Sequence, residues 1–277
     1  MRVVRTRAEP RAALATSPRP VGLVPTMGWL HAGHVSLIDR ARSESATVVV
    51  SIFVNPRQFG VASDFARYPR NEARDLAACE GAGVDLVFAP PVDEVYPPGF
   101  DTRVTVGAIA GPLEGAARPG HFDGVATVVA ILFALVGAEH AYFGLKDYQQ
   151  VQVIRRMALD LALPTAVVPC ETVREADGLA MSSRNARLSP AGRVAAAVLR
   201  RALVAGGDAV RAGERDAAAV RATMFRTIAT EPLADADYVS VADPDTLEEL
   251  ETVAGRALLS LAAEIEGVRL IDNERVP

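Results

Sequence analysis

Two of the four histidines in this 277-residue chain lie three apart in PTMGWLHAGHVSLI, residues 25–38. A short apolar run ends at Pro25, Gly28 and Gly33 allow a sterically bare turn, and a helical pattern, HVSLIDRARSES, follows. His31 and His34 therefore share one face of a helix start, near backbone N–H groups that have no partner within the helix and at the positive end of its dipole. That is chemistry for an anion, above all a triphosphate whose departing pyrophosphate gains charge. The competing reading is that one histidine caps the helix and the other packs. Zinc ranks below both, because a third ligand is needed and only His121 and His140 remain.

Four further stretches carry chemistry. YFGLKDYQQV, residues 142–151, holds the only lysine; of 29 Lys+Arg, the other 28 cations are arginine (29 − 1 = 28). Lys146 is either a solvated surface residue or a compact point charge where a forked guanidinium would not serve. Asp147 opens a helix beside it, with Gln149 and Gln150 in the first turn, a set suited to a nucleotide or small polar substrate. In SIFVNPRQFG, residues 51–60, Asn55 and Gln58 are neutral groups able to orient hydroxyls and a carboxylate, although Asn-Pro is also ordinary turn chemistry. Glu114, Arg118, His121 and Asp123 crowd GPLEGAARPGHFDGVATVV, residues 111–129; spacing alone reads there as a solvated loop before a helix. GLAMSSRN, residues 178–185, offers Ser182 and Ser183 as donors and Arg184 as a fork, in a flexible loop able to fold over phosphates or serving only as a linker.

The elements that must position these groups follow from hydrophobic pattern. VGLVP (21–25), TVVVSIFV (47–54), VDLVFAP (84–90), HAYFG (140–144) and TAVVPC (165–170) are continuous apolar runs. Helical patterns separate them, from about Asn71 to Gly81, Gly124 to Ala138 and Asp147 to Leu161. Such alternation predicts a Rossmann-like α/β parallel sheet with helices on both faces, and ligands of such sheets bind beyond the carboxyl ends of the strands. After about residue 172 the character changes to Ala/Arg-rich helices, about 190–230, and strand-like pieces at 237–244, 257–265 and 268–273. Two domains are expected, 1–172 and a smaller α+β domain over 173–277.

Net charge is −5 (29 − 34), with no basic block, which argues against a nucleic-acid partner. Two cysteines without Cys-x-x-Cys argue against a disulfide scaffold or structural zinc and point to a reducing cytoplasm. The Arg-rich N-terminal stretch lacks the apolar core of a signal peptide. The longest apolar run, Val125 to Ala138, is too short to span a bilayer, so no membrane association is expected.

Taken in order, PTMGWLHAGH, SIFVNPRQFG, YPRNEARDL, GPLEGAARPGHFDGV, AYFGLKDYQQ, TVREADGLAMSSRN and RLIDN closely resemble the pantothenate synthetases (pantoate–β-alanine ligases), nucleotidyltransferases related in fold to class I aminoacyl-tRNA synthetases. The resemblance covers nearly the whole chain. It implies ATP-dependent ligation of pantoate and β-alanine through an enzyme-bound pantoyl adenylate, in a cytoplasmic homodimer. By motif, Met27, Gly28, Trp29, Leu30, His31, Ala32, Gly33 and His34 would cradle ATP, with His34 the proton donor and His31 beside it. Gly144, Leu145, Lys146 and Asp147 would contact the nucleotide, Lys146 as the cation on its phosphates. Val173, Met181, Ser182, Ser183 and Arg184 would complete that site as the counterpart of a mobile KMSKS loop. Gln58 and Gln150 would hold pantoate, with Asn55, Glu114 and Arg118 in support.

Two departures matter. Leu145 stands where the family usually has Glu, which is silent if the side chain points away from the nucleotide. Some members carry paired acidic residues holding magnesium after YPR; here Asp75 is retained but Arg74 precedes it. Magnesium held mainly by ATP phosphates and water is then the expected arrangement, with any protein metal ligand unknown. The rival functions are an adenylyltransferase of the same superfamily acting on another small acid or phosphorylated substrate, and a nucleotide-binding module without catalysis.

Overall fold

The computed structural model describes residues 1–60 and 62–277, with the side chains of all but 62–64. Packing divides the chain into two compact units, one of residues 1–145 and 150–171, the other of residues 146–149 and 172–277.

Branched apolar residues build the first unit. β1 (Arg2–Val4), β2 (Val21–Thr26), β3 (Thr47–Ile52), β4 (Leu86–Phe88), β5 (His140–Gly144) and β6 (Ala166–Cys170) form a six-stranded sheet in the order β1-β4-β3-β2-β5-β6. Every pairing in it is parallel. Val24, Val48, Val50 and Val87 join the helices Ala32–Glu44 and Glu72–Gly81 in one cluster through Ile38, Ala41 and Cys79. Their chain neighbours Leu23, Val49 and Phe88 face the other way and are as deeply buried, so both faces of the sheet are covered. From β2 the chain proceeds to β3 and β4 on one side and returns to β5 and β6 on the other. The reversal between β2 and β5 is the switch point at which such sheets bind ligands.

Three local outcomes differ from the sequence pattern. β1 has no counterpart among the apolar runs, because only one of its three residues, Val4, is buried; pairing with β4 rather than hydrophobicity defines it. β3 ends at Ile52, since Asn55 turns the chain into a 3-10 helix at Pro56–Gln58. The buried helix begins a turn earlier than its apolar run and spans His121–Val136, bounded by Gly120 and Gly137, both left-handed.

The second unit is a three-stranded antiparallel sheet, β7 (Ala234–Ala242), β8 (Ala257–Ile265) and β9 (Val268–Val276), with β8 in the centre. The helices Val198–Arg211 and Ala217–Ile228 each turn an apolar stripe inward, Leu199, Leu203 and Val210 from one, Val220, Met224 and Ile228 from the other. These meet Leu259, Leu261 and Ala263 of β8 in one core.

Gly124 decides how the helix His121–Val136 meets the 3-10 helix. A Cβ there would lie 2.3 Å from the Arg57 carbonyl oxygen and 2.7 Å from the Gln58 nitrogen, both rigid backbone. G124A should therefore push Gln58 outward and destabilise by about 1–3 kcal/mol, read as a lower thermal midpoint; an unchanged midpoint would show that the contact yields freely.

Candidate active site

The turn after β2 is held by one buried carboxylate. Gly28 (φ +78°) and Trp29 (φ +52°) adopt left-handed backbone in succession. For Trp29 that costs about 1–2 kcal/mol. The N–H groups of Trp29 and Leu30 both point at Asp75, Trp29 N donating to Oδ2 at 2.8 Å and Leu30 N to Oδ1 at 2.7 Å. Charge-assisted bonds of this kind contribute about 1.5–3 kcal/mol each, enough to hold the strained turn. Position 28 must be glycine for the carboxylate to come so close, since a Cβ would sit 2.8 Å from Asp75 Oδ2. Thr26 closes the other side, its hydroxyl donating to the Ser51 carbonyl at 2.8 Å and accepting from Gly28 N at 3.1 Å.

The histidine pair sits on the next residues. His31 is the N-cap of Ala32–Glu44 and His34 lies in its first turn, with ring centroids 4.1 Å apart. His31 Nδ1 accepts from Gly33 N at 3.1 Å, and His34 Nδ1 accepts the longer bond from His31 N at 3.4 Å. The His34 and Val35 N–H groups reach the His31 carbonyl. The N–H groups of Gly33, His34 and Val35 are thus already engaged, and both rings take part in capping the helix. Because each Nδ1 accepts from backbone, a neutral ring carries its proton on Nε2, the nitrogen remote from the backbone. Both rings are therefore set as Nε2–H donors at the positive end of a helix.

Gln58 is aimed by a network whose members are not all apparent from spacing. Buried Asn55 accepts from the Tyr96 hydroxyl at 2.7 Å and from Arg57 N at 3.2 Å. It donates to Gln58 Oε1 and to the Gly124 carbonyl, each at 3.0 Å. All four bonding positions of its amide are used. Asn55 fixes the orientation of the Gln58 amide. With Oε1 taken, Gln58 is left with Nε2 as its donor, which donates to Met27 Sδ at 3.2 Å. Burial pushes the Tyr96 hydroxyl up from its ordinary range, so it remains a donor. Sequence reasoning misses Tyr96, because nothing near it in the chain marks it.

Glu114, Arg118 and His121 do not form the solvated loop that their spacing predicts. Glu114 and His121 are buried, and Arg118 lies 3.6 Å from Glu114. The Gln58 carbonyl accepts from His121 Nδ1 at 2.9 Å and from Arg118 at 3.3 Å, and Arg118 also reaches His121 Nε2 at 3.3 Å. Gln58 is thereby held by backbone as well as by side chain. Asp123, more exposed, pairs with Arg103 at 3.7 Å. Gln150 is half-buried in the helix Tyr148–Asp160, and Leu145 is buried, as a leucine turned from solvent should be.

In the second unit, Lys146 is not a solvated surface residue. Its side chain is 16% exposed, with Nζ 3.4 Å from Asp147, and its carbonyl accepts from Asn273 Nδ2 at 2.8 Å. The stretch from Val173 to Met181 is a hairpin, closed by Met181 N on the Val173 carbonyl and turned at left-handed Gly178, rather than an unstructured loop. Arg174 anchors it to β9 through a two-pronged pair with deeply buried Asp272, at 2.6 and 3.0 Å. Ser182 then caps the 3-10 helix Ser183–Arg187 by accepting from Arg184 N, so at rest its oxygen is an acceptor for backbone; Ser183 is buried. RLIDN thus acts through Asp272 and Asn273, which tie down the hairpin and Lys146.

Cys79 and Cys170 are free and buried, and burial pushes the Cys79 thiol up to about 12, which makes it inert. Among the described residues no cluster of three or more His, Cys, Asp or Glu side chains is arranged to hold a metal ion, and none of the helices is long and apolar enough to cross a membrane.

Comparison with known proteins matches this architecture throughout. The family model for pantoate-beta-alanine ligase aligns with residues 2–275. The pantothenate synthetase of Roseiflexus sp. (strain RS-1) is 61% identical over 273 residues, 99% of this chain and 98% of that one. That of Herpetosiphon aurantiacus is 55% identical, over 99% of each. Among solved structures, a pantothenate synthetase of Thermus thermophilus superposes with a TM-score of 0.96 at 51% identity, over 100% of both chains. The pantoate-beta-alanine ligase of Francisella tularensis, complexed with beta-gamma ATP and beta-alanine, gives 0.81 at 33% identity over 99% of this chain and 97% of its own.

The two supports should separate by size. D75N places an amide N–H2 against donors and should cost about 2–3 kcal/mol, whereas Y96F removes one neutral bond and should cost about 1 kcal/mol. Thermal midpoints would check the order; equal shifts would mean that the carboxylate does not hold the turn.

Proposed function

The chain belongs to the pantoate–β-alanine ligase family, and on that basis we propose how its residues share the work of joining (R)-pantoate to β-alanine. The enzyme is a pantothenate synthetase in activity: ATP activates the acid, and pantothenate, AMP and pyrophosphate are the products. A carboxylate oxygen of pantoate attacks the α-phosphorus and the bond to pyrophosphate breaks, leaving a mixed anhydride. The amine of β-alanine then attacks the acyl carbon, loses a proton, and expels AMP. No side chain forms a covalent bond, so the protein contributes position, charge and exclusion of water.

The observation that carries these assignments is the paired cap, two rings set as Nε2–H donors where a strand meets a helix at the switch point of the sheet. His34 donates to the phosphates as pyrophosphate leaves, with His31 beside it. Met27 to His34 cradle the nucleotide on a turn already shaped by Asp75. Gln58 Nε2 faces a pantoate oxygen, Gln150 assists, and Asn55, Glu114 and Arg118 act through Gln58. On the family resemblance, and in keeping with the limited exposure of Lys146, our reading gives Gly144, Lys146, Asp147, Val173 and Met181 to Arg184 to the nucleotide, with Lys146 and Arg184 on its phosphates. Leu145, buried, is silent.

Magnesium enters as the companion of ATP, held by phosphate oxygens and water. Asp75 does not suit a metal ion, because both its oxygens accept backbone N–H groups and only 1% of the residue is exposed. A cytoplasmic homodimer completes the reading, as the family resemblance implies.

The test is AMP formation with ATP, pantoate and β-alanine. Pyrophosphate release without β-alanine-dependent AMP would favour the simple adenylyltransferase, and ATP binding without turnover the inactive module. H34A should slow adenylate formation about 10²–10³-fold, the usual effect of removing a donor aimed at developing charge. K146R should lose most activity, because a planar fork cannot replace a point charge; wild-type kinetics in either variant would remove that residue from the mechanism.

A further inference from the structure

Arg74 stands where a metal-binding carboxylate would be expected by resemblance, yet its contacts are definite. The guanidinium carbon lies 4.5 Å from the centre of the Trp29 ring, and one terminal nitrogen donates to the Leu30 carbonyl at 3.0 Å. Its own backbone N–H is fixed by Asn71 at 3.1 Å, so the side chain leaves the first turn of Glu72–Gly81 from a set position. The adjacent residue, Asp75, takes the N–H groups of the same two residues, Trp29 and Leu30. One helix start thus grips the left-handed turn on both its donors and its acceptor.

We propose that Arg74 is a positioning residue for the nucleotide. By stacking on the Trp29 indole and binding the Leu30 carbonyl, it presets the turn that leads into His31 and His34. Asp75 alone fixes the N–H side of that turn. Arg74 fixes the orientation of the peptide beyond it and the rotamer of the indole. Its charge therefore works through shape, with no metal ion involved. The proposal rests on the assignment of residues 27–34 to ATP made above.

The chain supplies its own probe, since Trp29 is its only tryptophan. R74A is suited to the test because Arg74 is exposed and its removal empties no core. A partly exposed cation–π contact and one charge-assisted bond together predict about a tenfold rise in KM for ATP. The values of kcat and of KM for pantoate and β-alanine should stay within about twofold, and Trp29 emission should become more accessible to a neutral quencher. R74K, which keeps a cation over the ring but loses the fork, should fall between wild type and R74A. Free magnesium dependence at saturating ATP should be the same in all three.

An unchanged KM for ATP in R74A, or an equal rise in all three KM values, would overturn the proposal while wild-type turnover still upheld the function. Unaltered Trp29 quenching in R74A would overturn the stack itself. A wild type lacking β-alanine-dependent AMP would remove the functional assignment, and the proposal with it.

Discussion

A chain that leaves a buried strand and starts a helix within a few residues must satisfy backbone N–H groups that neither element can serve. Here one carboxylate, Asp75, serves the two at the sharpest point of the turn. Much follows from that single arrangement. The turn can be left-handed at Trp29 as well as at Gly28, the helix can begin at Ala32, and the two histidines fall on its cap rather than along its side. Both carboxylate oxygens accept in doing so, which accounts for the burial of Asp75.

The same logic recurs at Gln58. A glutamine amide free to flip offers a donor or an acceptor indifferently, which is useless for selecting between them. Tyr96 and Asn55 remove that freedom through bonds of fixed direction, and His121 and Arg118 immobilise the carbonyl behind it. Neutral side chains suffice to aim the amide, so Gln58 Nε2 is set as a donor without an unpaired charge being buried beside it.

The sheet was legible because five of its six strands are continuous apolar runs, and β8 coincides with ALLSLAAEI residue for residue. β1 was not, since three residues with one buried side chain carry no periodicity. The histidine pair and Gln58 were legible from residue type and spacing. Their supports were not: Asp75 binds backbone more than forty residues away in sequence, at a separation of 45 from Leu30, and Tyr96 acts across 41 from Asn55. Contacts of that range leave no local pattern. Spacing misplaces Glu114 and Arg118 for the related reason that a Gly/Pro-rich composition describes a loop without revealing whether it is covered. Resemblance marked these positions, and only the structure shows Glu114 buried and Arg118 bonded to the Gln58 carbonyl.

The four residues Lys146–Gln149 pack with the C-terminal unit although the rest of the helix Tyr148–Asp160 and β6, which belong to the first unit, separate them from it in the chain. Asn273 bonds the Lys146 carbonyl and the Tyr148 hydroxyl bonds the Pro244 carbonyl at 3.0 Å. The C-terminal unit is therefore not a transferable module. A fragment begun at Thr172 would leave Asn273 and Pro244 without these partners, and a chimera joined there between diverged relatives would have to match an inserted tetrapeptide it did not carry. Recombination within such a gene is constrained at a point that no linear boundary reveals.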